Sequence, residues 1–151
     1  MYWTFNEVSK GQSGTAIFTK HAPLSERQGI VRKEIDIEGR TLTLEYKDFF
    51  LVTCYAPNSG NPAKPDNGKE RFRFRTEVWD TQFYAFINKL KKKKNVIVAG
   101  DFNVAHRNID IYDHKGKELE PGFTKEERGN FDDLLRGGWV DTFRKKNPNL
   151  R

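Results

Sequence analysis

The chain of 151 residues contains little sulfur and no long apolar run. Its one cysteine, Cys54, excludes an internal disulfide framework, which suits a reducing compartment. No stretch reaches the roughly 18 apolar residues that a membrane-spanning helix needs. The first residues have neither the basic region nor the apolar region of a secretory signal. We therefore expect an intracellular protein with no membrane contact.

The composition is that of a folded protein. Hydrophobic residues make up 36% of the chain and aromatic residues 13%, which is enough for a real core at this length. No internal repeat or low-complexity linker divides the sequence. We expect residues 1–151 to form one domain, or most of one.

Positive charge is concentrated in one part of the chain. The net charge is +6, and residues 64–94 hold ten basic residues against four acidic ones. Lys91 to Lys94 are typical of the solvated end of a helix, where cations complement the helix dipole. Arg71, Arg73 and Arg75 alternate with phenylalanines and are better candidates for contact with phosphate.

Several segments have the residue pattern of short strands. Thr15–Thr19 follows a tight turn, and Ile30–Ile37 and Thr41–Tyr46 alternate around Glu38-Gly39 as in a hairpin. Phe49–Tyr55 is a continuous apolar run, which indicates a strand buried on both faces. Val96–Gly100 indicates a second buried strand.

Two segments have helical periodicity. Apolar residues repeat at helical spacing within 70–93, and Thr124 with Glu127 has the spacing of a capping box before a second helix that ends at Gly137-Gly138. Strands and amphipathic helices together predict an α/β fold with helices packed on sheet faces.

Polar residues at the ends of the two apolar strands are candidates for chemistry. Asp101 and Asn103 directly follow Val96–Gly100, where a carboxylate and an amide can serve a water, a metal ion or a phosphoryl oxygen. Tyr55 ends the other strand and Asn58 follows it, and both side chains are suitable phosphate donors. The alternative is structural, because Asp, Asn and Tyr at strand ends often satisfy local backbone groups.

Other polar residues are less informative. Asp110 is either a local hydrogen-bond organiser or a second acid near the site. His21, His106 and His114 lack metal-ligand spacing, and we interpret them as surface or loop residues.

An ordered set of motifs resembles one enzyme family. The motifs are Gly-Gln-Ser-Gly-Thr-Ala, Tyr-Ala-Pro-Asn-Ser-Gly, Trp-Asp, Gly-Asp-Phe-Asn-Val-Ala-His, Ile-Asp-Ile and Gly-Phe-Thr-Lys-Glu-Glu-Arg. In order and approximate spacing they resemble exonuclease III-type abasic-site endonucleases of the endonuclease/exonuclease/phosphatase superfamily. The resemblance covers nearly the whole chain.

The resemblance implies a partial two-sheet α/β sandwich of the DNase I-like type. It implies Mg²⁺-dependent (or Mn²⁺-dependent) cleavage of duplex DNA 5′ to abasic sites, with 3′–5′ exonuclease activity, by a monomer in the nucleus of a eukaryote or the cytoplasm of a prokaryote. By resemblance, Asp101 aligns the attacking water and Asn103 stabilises the phosphoryl transition state, both near the metal. Tyr55 contacts the scissile phosphate, and Asn58 helps to bind it.

The roles of other residues follow from the resemblance or from charge. Asp110 resembles the family's organising aspartate. Arg71 and Arg75 are predicted to bind the DNA backbone. Gln12, Lys117 and Glu120 depart from the residues that relatives often have, and Glu120 would repel phosphate.

The resemblance also implies that both ends of the catalytic domain, with the main metal-binding glutamate and an Asp-His pair, lie outside this chain. We therefore expect residues 1–151 to form a single partial domain, inactive or weakly active alone, with Ile17, Val52 and Val98 partly uncovered. Two alternatives stay open. One is a noncatalytic nucleic-acid-binding fragment, and the other is a superfamily member acting on RNA or a phosphorylated small molecule.

Overall fold

The computed structural model describes residues 1–30, 33–62, 64 and 67–151. Within them the chain forms two compact units. The first comprises Met1–Pro57 and Thr81–Phe102, and the second comprises Asn58–Asp80 and Asn103–Arg151. Among the described residues, no helix combines the length and apolar character needed to cross a membrane.

The first unit contains two sheets. Strands β1 (Tyr2–Thr4) and β2 (Thr15–Ile17) form an antiparallel pair. The larger sheet has the order β3, β4, β5, β6, and its strands are Ser25–Gln28, Thr41–Glu45, Phe49–Tyr55 and Asn95–Asp101. Neighbours are antiparallel except for β5 and β6, which are parallel. The parallel pair brings two carboxyl ends to the same edge of the sheet.

The core of this unit lies on the sheets and helix α2 (Asp80–Lys91). Ile17, Leu42 and Leu44 form a buried cluster. The members of the predicted apolar face that lie in this unit are all buried: Phe83, Phe86, Ile87 and Leu90. Trp79, which belongs to the second unit, is buried as well. The helical period in the sequence therefore identified the face that enters the core.

Burial differs from the prediction in both apolar strands. In β5, Phe50, Val52 and Cys54 are buried, whereas the alternate residues are half-buried or exposed. β6 is an edge strand with no fully buried residue, and Ile97 is 52% exposed. The prediction of strands buried on both faces was therefore wrong, because each has one well-covered face at most.

The expectation of uncovered apolar residues was also wrong in part. Ile17 and Val52 are buried, and only Val98, in the edge strand, is half-buried. Ile17 is covered by Leu42 and Leu44 within the same unit.

The predicted hairpin between Ile30–Ile37 and Thr41–Tyr46 was wrong. Lys33–Ile35 is a 3-10 turn, and Val31 and Arg32 lie outside the described residues. The strand that pairs with β4 is β3, whose Ser25 to Gln28 are all exposed. A polar edge strand pairs through its backbone, so hydrophobic periodicity does not reveal it.

The second unit is mainly helical. Helix α1 (Gly68–Arg73) is followed by a π-helical turn, Phe74–Trp79, which the sequence pattern did not predict. Helix α3 (Lys125–Arg136) begins with the predicted capping box, in which the Glu127 N–H donates to Thr124 Oγ1. A short helix α4 (Thr142–Lys146) follows; it was not predicted either.

Asp36 in the first unit leads to a prediction of how the stability of the fold depends on pH. Burial raises the pKa of Asp36 to about 6 from 3.8, although the Arg40 N–H donated to Oδ1 at 2.7 Å lowers it. The folded chain therefore binds this proton more tightly than the unfolded chain. The stability that the folded chain gains from protonation of Asp36 is fully present below pH 3.8 and is lost as the pH rises through about 6.

Asp36→Asn keeps an acceptor for the Arg40 N–H and cannot ionise. We expect the variant to gain about 1 to 3 kcal/mol over the wild type at neutral pH, and nothing below the unfolded pKa of Asp36. Urea unfolding at several pH values measures this difference. A difference that does not change with pH would contradict the burial of an ionised Asp36.

Candidate active site

Tyr55 and Asp101 lie together at one edge of the larger sheet. They are register partners at the carboxyl ends of β5 and β6, and the Ala56 N–H donates to the Asp101 carbonyl oxygen at 2.8 Å. Asp101 is exposed, and the Tyr55 side chain is accessible with the residue 37% exposed. The strand ends thus bring a phenol and a carboxylate together where solvent and a ligand can reach them.

Gly100 permits the close approach of β5 and β6 just before this edge. Its φ of +142° is one that L side chains rarely adopt, and a Cβ at this position would lie 2.0 Å from the Cys54 carbonyl oxygen. The strand end that presents Asp101 therefore requires a residue without a side chain.

Arg40 is a neighbour of Tyr55 that sequence analysis missed. Its guanidinium lies 4.7 Å from the centre of the Tyr55 ring, and its Nη1 donates to the Tyr55 carbonyl oxygen at 3.1 Å. In the sequence, the only local sign of Arg40 as a site residue was its position as a single cation directly before an alternating strand. The contact spans fifteen residues and depends on the β4–β5 register, which no local pattern specifies.

In the second unit, Asn58 and Asn103 have defined backbone environments. Asn58 Oδ1 accepts the Gly60 N–H at 2.9 Å, so the side-chain NH2 is the group left for a ligand. Asn103 has a φ of +47°, a left-handed conformation that asparagine tolerates well. The next part of its loop is fixed where the Ala105 N–H donates to the Gly122 carbonyl oxygen at 2.8 Å.

Arg71 borders an open cavity in the second unit. The cavity has a volume of about 430 Å³ and is lined by Gly60, Asn61, Lys64, Gly68, Arg71, Glu120 and Pro121. Arg71 Nη2 also donates to the Asn58 carbonyl oxygen at 3.2 Å. Two cations with one carboxylate line this cavity, so Glu120 partly offsets the attraction for an anion.

Arg75 does not fit the predicted contact with phosphate. It is 1% exposed, and its Nη1 lies 3.1 Å from Asp80 Oδ2 in a buried ion pair. Asn130 Nδ2 donates to the same carboxylate oxygen at 2.9 Å. A guanidinium held in this way is not available to a ligand, and the prediction for Arg75 was therefore wrong.

Asp80 is the acid at the centre of that network. Burial raises its pKa to about 6, although the Arg75 charge and the Asn130 hydrogen bond lower it. The network ties the π-helical turn to helix α3, because Asn130 also donates to the Thr76 carbonyl oxygen at 2.8 Å.

Asp110 has the contacts of an organising residue. Its Oδ2 accepts the Arg107 N–H at 2.7 Å, and its Oδ1 forms an ion pair with Arg144 Nη2. Arg144 in turn donates to the carbonyl oxygens of Asn147 and Leu150, each at 2.8 Å. Of the two alternatives for Asp110, these contacts favour the local organiser.

His106 is more than a surface loop residue. Its side chain is 10% exposed, and Nε2 lies 2.7 Å from Asp132 Oδ1. This hydrogen bond lowers the pKa of Asp132. Arg128 Nε donates to the His106 carbonyl oxygen at 2.8 Å, so helix α3 holds the loop that follows Asn103 at two points. His21 is exposed, as expected.

Comparison with known proteins identifies the family. The sequence profile described as the Endonuclease/Exonuclease/phosphatase family matches residues 2–151. The chain belongs to this family. It is 42% identical over 147 residues to the "DNA repair nuclease APEX1" of Danio rerio, covering 97% of this chain and 45% of that protein. It is 41% identical over 150 residues to the "Exodeoxyribonuclease" of Bacillus subtilis (strain 168), covering 99% and 56%.

A solved structure supports the fold. The AP endonuclease from Archaeoglobus fulgidus matches with a TM-score of 0.82 at 24% identity, covering 99% of this chain and 56% of that one. The predicted α/β fold with two sheets, and the resemblance to exonuclease III-type enzymes, are confirmed. The chain spans about half the length of the relatives that it matches.

Nucleases of the endonuclease/exonuclease/phosphatase family work with a divalent metal ion. Among the residues that the structure describes, no three His, Cys, Asp or Glu side chains lie close enough to hold a metal ion. A hard cation such as Mg²⁺ prefers about six oxygen ligands, some of them water. Asp101 in the first unit offers a carboxylate and Asn103 in the second an amide, and both carry oxygen donors of the kind that such a cation prefers.

Proposed function

We propose that this chain belongs to a DNA-repair phosphodiesterase that hydrolyses duplex DNA 5′ to abasic sites and has 3′–5′ exonuclease activity. The observation that carries the proposal is the pairing of Tyr55 with Asp101 at the shared end of β5 and β6. Solvent-exposed carboxylate and phenol groups at one sheet edge can act together on a phosphodiester.

The candidate residues have separate roles in this proposal. Asp101 orients the attacking water and accepts a proton from it, and the Tyr55 hydroxyl donates a hydrogen bond to the scissile phosphate. As the water oxygen bonds to phosphorus, the bond from phosphorus to the 3′ oxygen of the preceding nucleotide breaks, and that oxygen takes a proton from solvent. Asn103 donates to the phosphoryl oxygen that gains charge in the transition state. Asp110 organises the loop after Asn103 through its contacts with Arg107 and Arg144.

Residues of the second unit bind the substrate. Asn58 offers its NH2 group to phosphate, and Arg71, at the rim of its cavity, neutralises a backbone phosphate. We propose Mg²⁺ as the metal, with Mn²⁺ as a substitute, and Asp101 and Asn103 as residues that would hold it. The partner is duplex DNA with abasic sites, bound by a monomer inside the cell, where the genome lies.

Cleavage of a labelled duplex that contains one tetrahydrofuran abasic analogue tests the proposal. The measurement is a single-turnover rate with the chain in excess over DNA, because a chain that spans about half the length of its relatives is expected to be weakly active alone. We expect a nick 5′ to the analogue with Mg²⁺, none with EDTA, and none in the matched undamaged duplex. Absence of a Mg²⁺-dependent nick at saturating protein would contradict catalysis by this chain.

The alternative outcome of this assay is a noncatalytic nucleic-acid-binding fragment. Binding without catalysis would give an affinity for duplex DNA that falls steeply with salt and is equal with and without the abasic analogue. Arg71→Gln would reduce the salt slope in that case.

A further inference from the structure

Arg40 makes three contacts with Tyr55, two through its guanidinium and one through its backbone carbonyl. Its guanidinium lies over the ring, with 4.7 Å from the guanidinium carbon to the ring centre. Its Nη1 donates to the Tyr55 carbonyl oxygen at 3.1 Å, and its own carbonyl oxygen accepts the Tyr55 N–H at 2.9 Å. One residue therefore restrains the backbone on both sides of Tyr55 and one face of its ring.

The neighbours of Arg40 hold both its side chain and its backbone. The side-chain Nε forms an ion pair with Glu38 Oε2 at 2.6 Å, and the backbone N–H of Arg40 donates to Asp36 Oδ1 at 2.7 Å. The residue is 7% exposed. A cation attracts an aromatic ring more strongly when water is excluded, so burial strengthens the contact with Tyr55.

A purely structural role would leave part of this arrangement unexplained. A buried arginine often closes a turn by pairing with a carboxylate, and the contact with Glu38 does so here. The guanidinium also covers a ring that stands at the end of β5, beside Asp101, with the residue 37% exposed. A ring exposed to that degree can change rotamer, and a flat cation against one face restricts the change.

We infer that Arg40 is a positioning residue that fixes the Tyr55 phenol at the candidate active site. The inference rests on the proposed role of Tyr55 as the group that contacts phosphate. Arg40 touches no substrate in this account and acts through the Tyr55 ring.

The first test measures the mobility of the ring and needs no catalysis. The five tyrosines are labelled with ¹³C in the ring, and the Tyr55 signal is assigned by its loss in Tyr55→Phe. We expect Arg40→Met to increase fast ring motion at Tyr55 and at no other tyrosine, and Arg40→Lys to restore part of the order.

Arg27→Met is the matched control, because Arg27 lies 5.3 Å from the Phe86 ring in the same unit and is another stacked arginine. Arg27→Met should leave the fast motion of the Tyr55 ring unchanged. Unchanged Tyr55 order in Arg40→Met, or equal loosening of all five tyrosines, would overturn the inference in favour of no role or a general structural one.

The second test uses the single-turnover cleavage assay. We expect Arg40→Met to lower the rate at saturating DNA about tenfold with little change in the half-saturating protein concentration. Tyr55→Phe keeps the ring and lacks the hydroxyl, so adding Arg40→Met to it should cause no further loss. If the double variant instead lost as much rate as the product of the two single-variant losses, the inference would be overturned.

The two tests separate the inference from the proposed function. If the wild-type chain does not cleave DNA, the proposed catalysis fails, and the ring mobility still decides whether Arg40 positions Tyr55. If the wild type cleaves and the Tyr55 order is unaffected by Arg40→Met, the function stands and the positioning role fails.

Discussion

Gly100→Ala is expected to lower the free energy of unfolding by about 3 kcal/mol or more. The added Cβ would lie 2.0 Å from the Cys54 carbonyl oxygen, which is a backbone atom in the neighbouring strand. The φ of +142° would also be strained for alanine. Neither conflict can be relieved by a side-chain rotation, so β5 and β6 would have to separate near Asp101.

Gly129→Ala is the matched control for this substitution. Gly129 lies inside helix α3, and a Cβ there would meet nothing within 4 Å. Alanine favours a helix interior by about 1 kcal/mol over glycine, so this variant should be slightly more stable than the wild type. Urea unfolding measures both. A Gly100→Ala midpoint equal to that of the wild type would show that the strands are not packed as closely as described.

Arg75→Met is expected to destabilise the chain by about 3 to 5 kcal/mol at neutral pH. The substitution removes the cation 3.1 Å from the buried Asp80 carboxylate and replaces it with an apolar side chain of similar length. Because the Arg75 charge lowers the pKa of Asp80, its loss raises that pKa further above its value of about 6. The destabilisation should therefore be smaller in acid, where Asp80 is protonated in both folded forms.

Arg73→Met distinguishes this effect from the loss of any arginine in the segment. Arg73 has a side chain that is 74% exposed and lies 3.6 Å from Glu77, so its pair contributes little. We expect a change of less than about 0.5 kcal/mol. Thermal or urea unfolding across pH compares the two variants. Equal effects of both substitutions would contradict the burial of the Arg75–Asp80 pair.

The contrast between Arg71 and Arg75 shows what the sequence could and could not predict. The alternation of arginine and phenylalanine suggested one shared role. The helical spacing was more informative, because Arg75 precedes the buried Trp79 by four residues and both lie on one face of the segment. Sequence pattern alone does not show whether such an arginine finds a buried carboxylate.

The site was predictable where it depends on strand ends. Phe49–Tyr55 has the bounds of β5, and parallel pairing with Val96–Gly100 brings Tyr55 and Asp101 to one edge. Resemblance to a family added roles, which stay predictions. The contribution of Arg40 was not predictable, since it requires the β4–β5 register and a turn at residues 33–40 that the alternating pattern misrepresented as a strand.

The central claim is that the edge formed by Tyr55 and Asp101 is a catalytic centre for DNA phosphodiester cleavage. The most direct measurement compares the wild type, Asp101→Asn and Asp48→Asn in Mg²⁺-dependent single-turnover cleavage of the abasic duplex. Asp48 is an exposed aspartate at the start of β5, the opposite end from Tyr55. We predict that Asp48→Asn cleaves at the wild-type rate and that Asp101→Asn is slower by at least about 100-fold. Equal cleavage by Asp101→Asn and the wild type would contradict the claim.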